Sequence, residues 1–488
     1  MKYKKNISAL GVSVLTAVMV LMSAWIMPAC SDDNGGDLKG ATLSVTADGV
    51  DITDMEFSTY GGQKMITLVT NAAWKMSVED TPEWISLSNR SGEPASDEDP
   101  RYIKVSVSPL GDVESRTASI SVRAGGIKKT ITVTQRRPAS TDGDGWETAN
   151  SANNNMAVGV NLMNTLDAVG DWFDQDDVSA FETCWGQPLA KQEWFDAVAA
   201  AGFGVVRIPV TWYPHMDENW IVKEPWMRRV EEVVNYGLNA GLYVILNVHH
   251  DTGDGDKNWL KADYANIDVI GDKFCRLWTQ IATRFNKYGE KLLFEGYNEM
   301  LDADNSWVEP TEISSYEAVN MFAQMFVNTV RATGGNNMHR NLIVNTYGSG
   351  GSRTRLDNMV LPEDKIPGHI LLEVHNYSPS AFSNLMGEID DENLPVWTPE
   401  FEKTLGVELD LLIGYSQKFG VPVVIGECGS YDKIADEERA KYGKFLSTYS
   451  LGKANVSMIH WGNIMDRNTC EPMSPLYVEG LLEGKKGR

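Results

Sequence analysis

Two short apolar runs in this sequence end in a glutamate. Residues 292–300 read LLFEGYNEM and turn polar at Tyr297-Asn298-Glu299, and residues 421–428 read VPVVIGEC and deliver Glu427. Runs of this kind read as strands buried on both faces up to the edge of a sheet. Two such strands bringing a carboxyl each to one rim would supply the pair that glycoside hydrolysis needs. One carboxyl must be protonated to serve the leaving oxygen, and the other ionised to attack the anomeric carbon. An ionised Glu427 nearby would itself hold Glu299 protonated.

The elements that must position this pair follow from the texture of residues 156–488. Eight apolar runs, at 157–162, 205–209, 242–248, 292–297, 342–346, 370–375, 421–425 and 456–460, alternate with amphipathic segments. The segments at 191–201, 226–240, 268–288, 315–333, 400–419 and 436–449 predict helices. Eight strands alternating with helices over this length predict a (β/α)8 TIM barrel, an α/β fold that carries its chemistry at the C-terminal ends of the strands. An open doubly wound sheet is the competing architecture, but the first run, 159–164 (GVNLMN), lacks the Gly-rich phosphate loop.

The residues at the strand ends are, in order, Asn161 and Asn164, Arg207, His249-His250-Asp251, Asn298-Glu299, Tyr347, His375-Asn376-Tyr377, Glu427, and His460-Trp461. Two carboxylic acids among amides, imidazoles and aromatic rings are the inventory of a sugar hydrolase. The expected pair lies on strands 4 and 7, facing each other across the barrel, and a separation of about 5 Å favours retention through a glycosyl-enzyme intermediate. No metal is expected. Adjacent His249 and His250 on a strand point to opposite faces, and 251–258 (DTGDGDKN) lacks the glycine and terminal glutamate spacing of a calcium loop.

The rest of the 488 residues bound the setting. With 67 acidic against 43 basic residues the net charge is −24, which disfavours nucleic acid and anionic lipid as partners. Residues 1–29 have a basic start, an uncharged run from residue 6, and Met27-Pro28-Ala29 before Cys30. They predict a signal segment outside the fold. Residues 30–40 are a tether. Residues 41–136 carry short alternating runs at 42–47, 64–70, 74–78, 103–108, 118–122 and 130–134, with Gly125-Gly126 as a hairpin turn, and predict a small all-β, immunoglobulin-like sandwich. The polar stretch 137–155 reads as a linker. Cys184, Cys275, Cys428 and Cys470 match no zinc spacing and read as free thiols.

Three resemblances build on these residues. The residues before Cys30 and the Ser31-Asp32-Asp33-Asn34 after it resemble a Bacteroidetes surface lipoprotein signal. That implies lipidation of Cys30 and a surface-exposed place on the outer membrane. The motifs at 71–74, 82–85, 116–118 and 133–136 resemble the BACON domain, which occurs at the N-terminus of Bacteroidetes carbohydrate-active proteins. Trp74 and Trp84 are either sugar platforms or core residues. From about 156 to 470, GVNLMNTLDA at 159–168, ETCWGQP at 182–188, AGFGVVRIPVTW at 201–212, LYVILNVHHD at 242–251, FEGYNE at 294–299, EVHNY at 373–377 and VIGECG at 424–429 resemble glycoside hydrolase family 5, nearest its subfamily 4.

That resemblance implies Glu299 as acid/base and Glu427 as nucleophile. Asn298 would hold a sugar 2-hydroxyl, and Arg207 and Tyr377 would hold Glu427. His375 would lie near Glu299, His249 with His250 would bind the −1 sugar, and Trp461 would stack beneath it. Asn161 and Trp185 complete the expected substrate contacts, with Trp185 a cleft wall or a core residue. Two departures from the family pattern are Met300 after Glu299, where many relatives have Pro, and His460-Trp461-Gly462-Asn463 in place of Trp-Asp-Asn. The expectation is a retaining endo-β-1,4-glucanase, monomeric and without a cofactor, acting on plant cell-wall β-glucan. Xyloglucan is the polymer implied by the pairing with a BACON domain. A mannanase or xylanase of the same fold, or a non-catalytic surface glycan-binding protein, are the alternatives.

Overall fold

The computed structural model describes residues 40–486 apart from 48–49, 58–61, 98, 109–114, 137–145, 384–386, 388 and 455. The signal segment and Cys30 lie outside the described residues.

Residues 41–136 form two five-stranded sheets around one apolar core. The longest hairpin joins Ser115–Ala124 to Ile127–Arg136. Its two-residue turn is Gly125-Gly126, with φ of +53° and +88°, the left-handed pair that a tight hairpin requires. Trp74 is buried in the core, and the Arg116 guanidinium lies 4.4 Å over the Trp84 ring. Trp74 is therefore no sugar platform, and one face of Trp84 is already covered.

The second unit is a closed, all-parallel barrel of β1 (Val158–Asn161), β2 (Val205–Ile208), β3 (Tyr243–Asn247), β4 (Leu292–Glu295), β5 (Leu342–Gly350), β6 (Ile370–His375), β7 (Val423–Cys428) and β8 (Val456–His460). Every strand is buried nearly throughout, which is why the runs read as continuous rather than alternating. Some of the helices that cover it start or stop on sequence signals. Pro399–Phe419, for example, is capped by the Thr398 hydroxyl and ends on Gly420 at φ +69°.

Part of the expected linker belongs to the barrel. Ala149–Met156 is a helix whose Ala149, Ala152 and Met156 pack with Val205, Tyr243, Ile245, Leu293, Ile343, Leu371, Val424 and Ile459. Its composition (ANSANNNM) hides it, because only three apolar side chains are needed to plug the narrow end of the barrel. Asn153 continues the plug with polar contacts, its amide donating to the Val423 carbonyl at 3.2 Å.

His215, beyond β2, lies flat on Trp226 with ring centroids 3.6 Å apart and meets Phe181 edge-on at 4.3 Å. Burial, with the Lys223 ammonium assisting, pushes its imidazole down to about 3. The unfolded chain takes up a proton near pH 6.5 and the folded one does not until about 3, so stability present above pH 6.5 is lost as pH falls towards 3. Urea denaturation at pH 7 and pH 5 should show His215→Phe losing about 2 kcal/mol less between the two than the wild type does. Equal losses would disprove the assignment.

Candidate active site

The inward-facing positions of the barrel stack in layers. Above the apolar bottom layer, two residues further along each strand, stand Asn161, Arg207, Asn247, Glu295, Asn345 and Glu373, each almost wholly buried. The period of two that points alternate side chains to opposite faces of a strand thus delivers a polar layer directly under the rim.

Arg207 is its centre. Nε and Nη2 donate to Glu295 Oε2 and Oε1 at 2.7 and 2.9 Å, a bidentate pair. Nη2 also donates to Asn298 Oδ1 at 2.7 Å, and Nη1 to Asn161 Oδ1 at 2.9 Å and Glu427 Oε1 at 3.0 Å. Glu427 also accepts from the Tyr377 hydroxyl at 2.8 Å. Burial, with Glu299 adding to it, leaves its carboxyl above the usual range, although the His375 imidazolium, Arg207 and the Tyr377 hydroxyl pull it down.

Glu299 stands in the loop four residues beyond the end of β4 and accepts from His375 Nδ1 at 2.8 Å. The same nitrogen is 3.5 Å from Glu427 Oε2. One oxygen of Glu299, one of Glu427 and a His375 nitrogen lie within 4.8 Å of one another. β4 and β7 are separated only by β5 and β6 around the ring, and the two carboxyls meet beside a histidine at the end of β6. Burial alone would drive the His375 imidazole down, but Glu427, Glu299 and Glu373 outweigh it and push it up to about 10.

His249 and His250 follow β3 rather than lie in it, so they do not diverge as strand neighbours would. Their rings meet at 4.5 Å, and His250 Nε2 is 3.9 Å from the buried carboxylate of Asp167. Burial, with His250, Arg207 and His375 adding to it, holds His249 well below the ordinary histidine range. Its Nδ1 faces the Asn247 amide nitrogen at 3.2 Å, an amide oriented by the Val210 N–H on its oxygen. Neutral His249 therefore keeps Nε2–H as its donor. Trp461 lies parallel to that ring, 5.5 Å away.

Asn161 corrects another expectation. Its oxygen is taken by Arg207, and its amide nitrogen donates to the Gly426 and His460 carbonyls at 3.0 and 3.2 Å. It braces Arg207 between strands and offers nothing to a sugar. Trp185 proves half-exposed, its indole N–H tied to the Val169 carbonyl at 2.9 Å and its ring 5.5 Å from His250. With Tyr213, His250, Asp254, Lys257 and Asn258 it lines a cleft of about 490 Å³. Trp212 and Trp397 are core, Trp259 packs on the Lys273 ammonium, and Trp172 and Trp307 are exposed. Met300 is fully buried. Cys184, Cys275, Cys428 and Cys470 are free thiols.

Sequence reasoning missed Glu295 and Glu373. Both sit inside quoted motifs, two residues after an inward apolar position on their strands, and that spacing was the available signal.

Residues 145–464 match Cellulase (glycosyl hydrolase family 5), and residues 72–136 match the BACON family. The chain is 31% identical over 516 residues to a xyloglucan-specific endo-β-1,4-glucanase of Bacteroides ovatus, covering 98% of this chain and 97% of that one. Among solved structures, a Prevotella bryantii B14 family 5 enzyme in complex with the xyloglucan tetradecasaccharide XXXGXXXG is 40% identical at a TM-score of 0.63, over 70% of this chain and 99% of that one. A Bacteroides ovatus family 5 xyloglucanase in complex with a XXXG heptasaccharide is 29% identical at 0.62, over 91% and 99%.

Gly426 faces the polar layer, and a Cβ there would sit 2.1 Å from Glu373 Oε1. Its backbone lies outside the left-handed region, so space alone demands glycine. Gly426→Ala should cost about 1–3 kcal/mol by overpacking, read as a lowered denaturation midpoint, and should lower kcat by displacing Glu373.

Proposed function

This chain belongs to glycosyl hydrolase family 5, and on that premise we propose that it is a retaining endo-β-1,4-glucanase whose substrate is xyloglucan. The observation that carries the chemistry is the approach of Glu299 and Glu427 to within 4.8 Å. That fits the roughly 5–5.5 Å of carboxyl pairs that act through a covalent glycosyl-enzyme, and not the roughly 6.5–9.5 Å that leaves room for a water between them.

Glu427 is the nucleophile. Arg207, Tyr377 and His375 direct N–H and O–H groups at it, and such donors favour the carboxylate. Attack of a Glu427 oxygen on the anomeric carbon breaks the bond to the leaving oxygen as Glu299 passes its proton to that oxygen. Glu299, now ionised, takes a proton from water, and the hydroxide formed in that step displaces Glu427 and regenerates both groups. Asn298 is fixed by Arg207 through its oxygen, which leaves its amide N–H groups for a sugar hydroxyl. His249 Nε2–H and the Trp461 ring complete the −1 position, since apolar sugar faces pack on aromatic rings.

The assignment of an internal cut in a long polymer is supported by the extended cleft beyond His250. Xyloglucan is supported by the substrate named for the Bacteroides ovatus relative, which matches nearly the full length of this chain. Residues 1–34 support lipid attachment at Cys30 and a place at the outer-membrane surface.

Reducing-sugar release from xyloglucan, mixed-linkage β-glucan, carboxymethylcellulose, glucomannan and xylan tests the substrate. The expected order puts xyloglucan first, and activity confined to xylan or mannan would sink it. Glu427→Ala should lose more than about 10³-fold in kcat. Glu299→Ala should lose about 10²–10⁴-fold on polysaccharide but far less on aryl glycosides, whose leaving groups need no proton. Cys30→Ala should move the protein from the membrane fraction to the soluble one, and an unchanged distribution would rule out the anchor.

A further inference from the structure

The polar layer holds two carboxylates that the chemistry above does not use, and only Glu295 of the two is held bidentately by Arg207. Glu373 is fully buried on β6, two residues before His375. Arg207 lies near it, but every one of the five guanidinium N–H groups is already taken, by Glu295 twice and by Asn298, Asn161 and Glu427. Its closest nitrogen stops 3.6 Å from Glu373 Oε1. Asn345 donates to Glu373 Oε1 at a long 3.3 Å, and Oε2 has no hydrogen-bond partner. The other cation within reach is His375, whose Nε2 is 3.4 Å from Glu373 Oε1 and makes no other hydrogen bond. A buried carboxylate with so little hydrogen bonding persists only beside a counter-charge.

We propose that Glu373 is a positioning residue that keeps His375 in its imidazolium form, so that Nδ1 always presents a charged N–H to Glu299 and Glu427. The geometry divides the ring between two tasks. Nε2 faces inward to the spectator carboxylate, and Nδ1 faces the two carboxyls that exchange charge during the reaction. In the first half of the double displacement Glu299 becomes anionic, and in the second Glu427 does. A cation fixed between them meets whichever charge develops, and Glu373, whose own charge does not change in the reaction, adds to Glu427 and Glu299 in preventing its loss as pH rises. The pressure of the surrounding acids on His375, which pushes it up to about 10, agrees with this. Glu299 from the loop after β4, Glu427 from β7 and Glu373 itself face the ring, His249 acts on it from beyond β3, and Arg207 from β2 and Tyr377 from beyond β6 hold the carboxyls that face it. The space for Glu373 is cleared by Gly426 on β7, the neighbouring strand.

The catalytic part of this rests on the hydrolase reading above, whereas the charge state of His375 does not, and the experiment separates them. Histidine-labelled protein without substrate, with His375 assigned by His375→Gln, gives the imidazole titration by NMR. Wild-type His375 should stay an imidazolium through pH 8. In Glu373→Gln, which keeps the shape and removes the charge, its midpoint should fall by at least about one pH unit, and Glu373→Asp should restore most of it. With substrate, kcat of Glu373→Gln relative to wild type should be near unity at pH 5 and fall severalfold as pH rises past the variant's lowered His375 midpoint, with KM little changed. A neutral His375 in the wild type at pH 8 overturns the proposal even if Glu373→Gln fails to fold. So does an unchanged midpoint in the folded variant, or a kcat ratio that is flat with pH.

Discussion

One guanidinium organises the upper half of the barrel. Arg207 is fully buried inside a ring of strands, and burying such a group is expensive unless each N–H is paired. Its five bonds go to four residues from three other strands or their loops: Asn161 from β1, Glu295 and Asn298 from β4 and beyond, and Glu427 from β7. Because those bonds are directional, a single side chain fixes the relative height of three strand ends. Glu427 and Asn298, the residue before Glu299, are placed by the same cation, so the two carboxyls cannot drift independently.

The charges around that cation do not balance in pairs. Arg207 and His375 face four carboxyls, those of Glu295, Glu373, Glu427 and Glu299. Such a buried cluster contributes little to stability by itself, since the desolvation of each charge offsets most of the attraction. Its stability is borrowed from elsewhere: the apolar layer beneath it, the helix Ala149–Met156 that plugs that layer, and the covering helices. The barrel therefore separates labour by height, with apolar packing at the bottom, charge in the middle and open chemistry at the rim.

That division explains what could be read from the sequence. Eight apolar runs gave the barrel, because strands buried on both faces need no alternation to be recognised. Glu299 and Glu427 were legible because each follows such a run, and Arg207, His375 and Tyr377 because they lie inside or directly after one. Glu295 and Glu373 were not, because an acid within an apolar run is visible only once the inward phase of that strand is known. Asn161 was misread for a related reason. A strand-end position says that a side chain is near the rim, not whether its amide turns to the cleft or to a neighbour. The plug helix was hidden by its asparagines, and the meeting of His249 with His250 depends on the strand ending at Asn247.

The same layering bears on how specificity can vary while the chemistry stays fixed. Trp185, Tyr213 and the 254–258 segment lie in loops beyond β1, β2 and β3 and make none of the bonds that hold Arg207. They connect to the centre through the ring contacts of Trp185 with His250 and of His250 with His249, and through the hydrogen bonds of Asn258 to Thr252 and of Thr252 to His249. Substitutions there change what can lie along the cleft without altering the charge balance beneath Glu299 and Glu427. A change at Gly426 or Asn161 does the reverse, since it reaches the charged layer without touching the cleft. The cleft and the charged layer are thus different strata of one barrel, joined at His249.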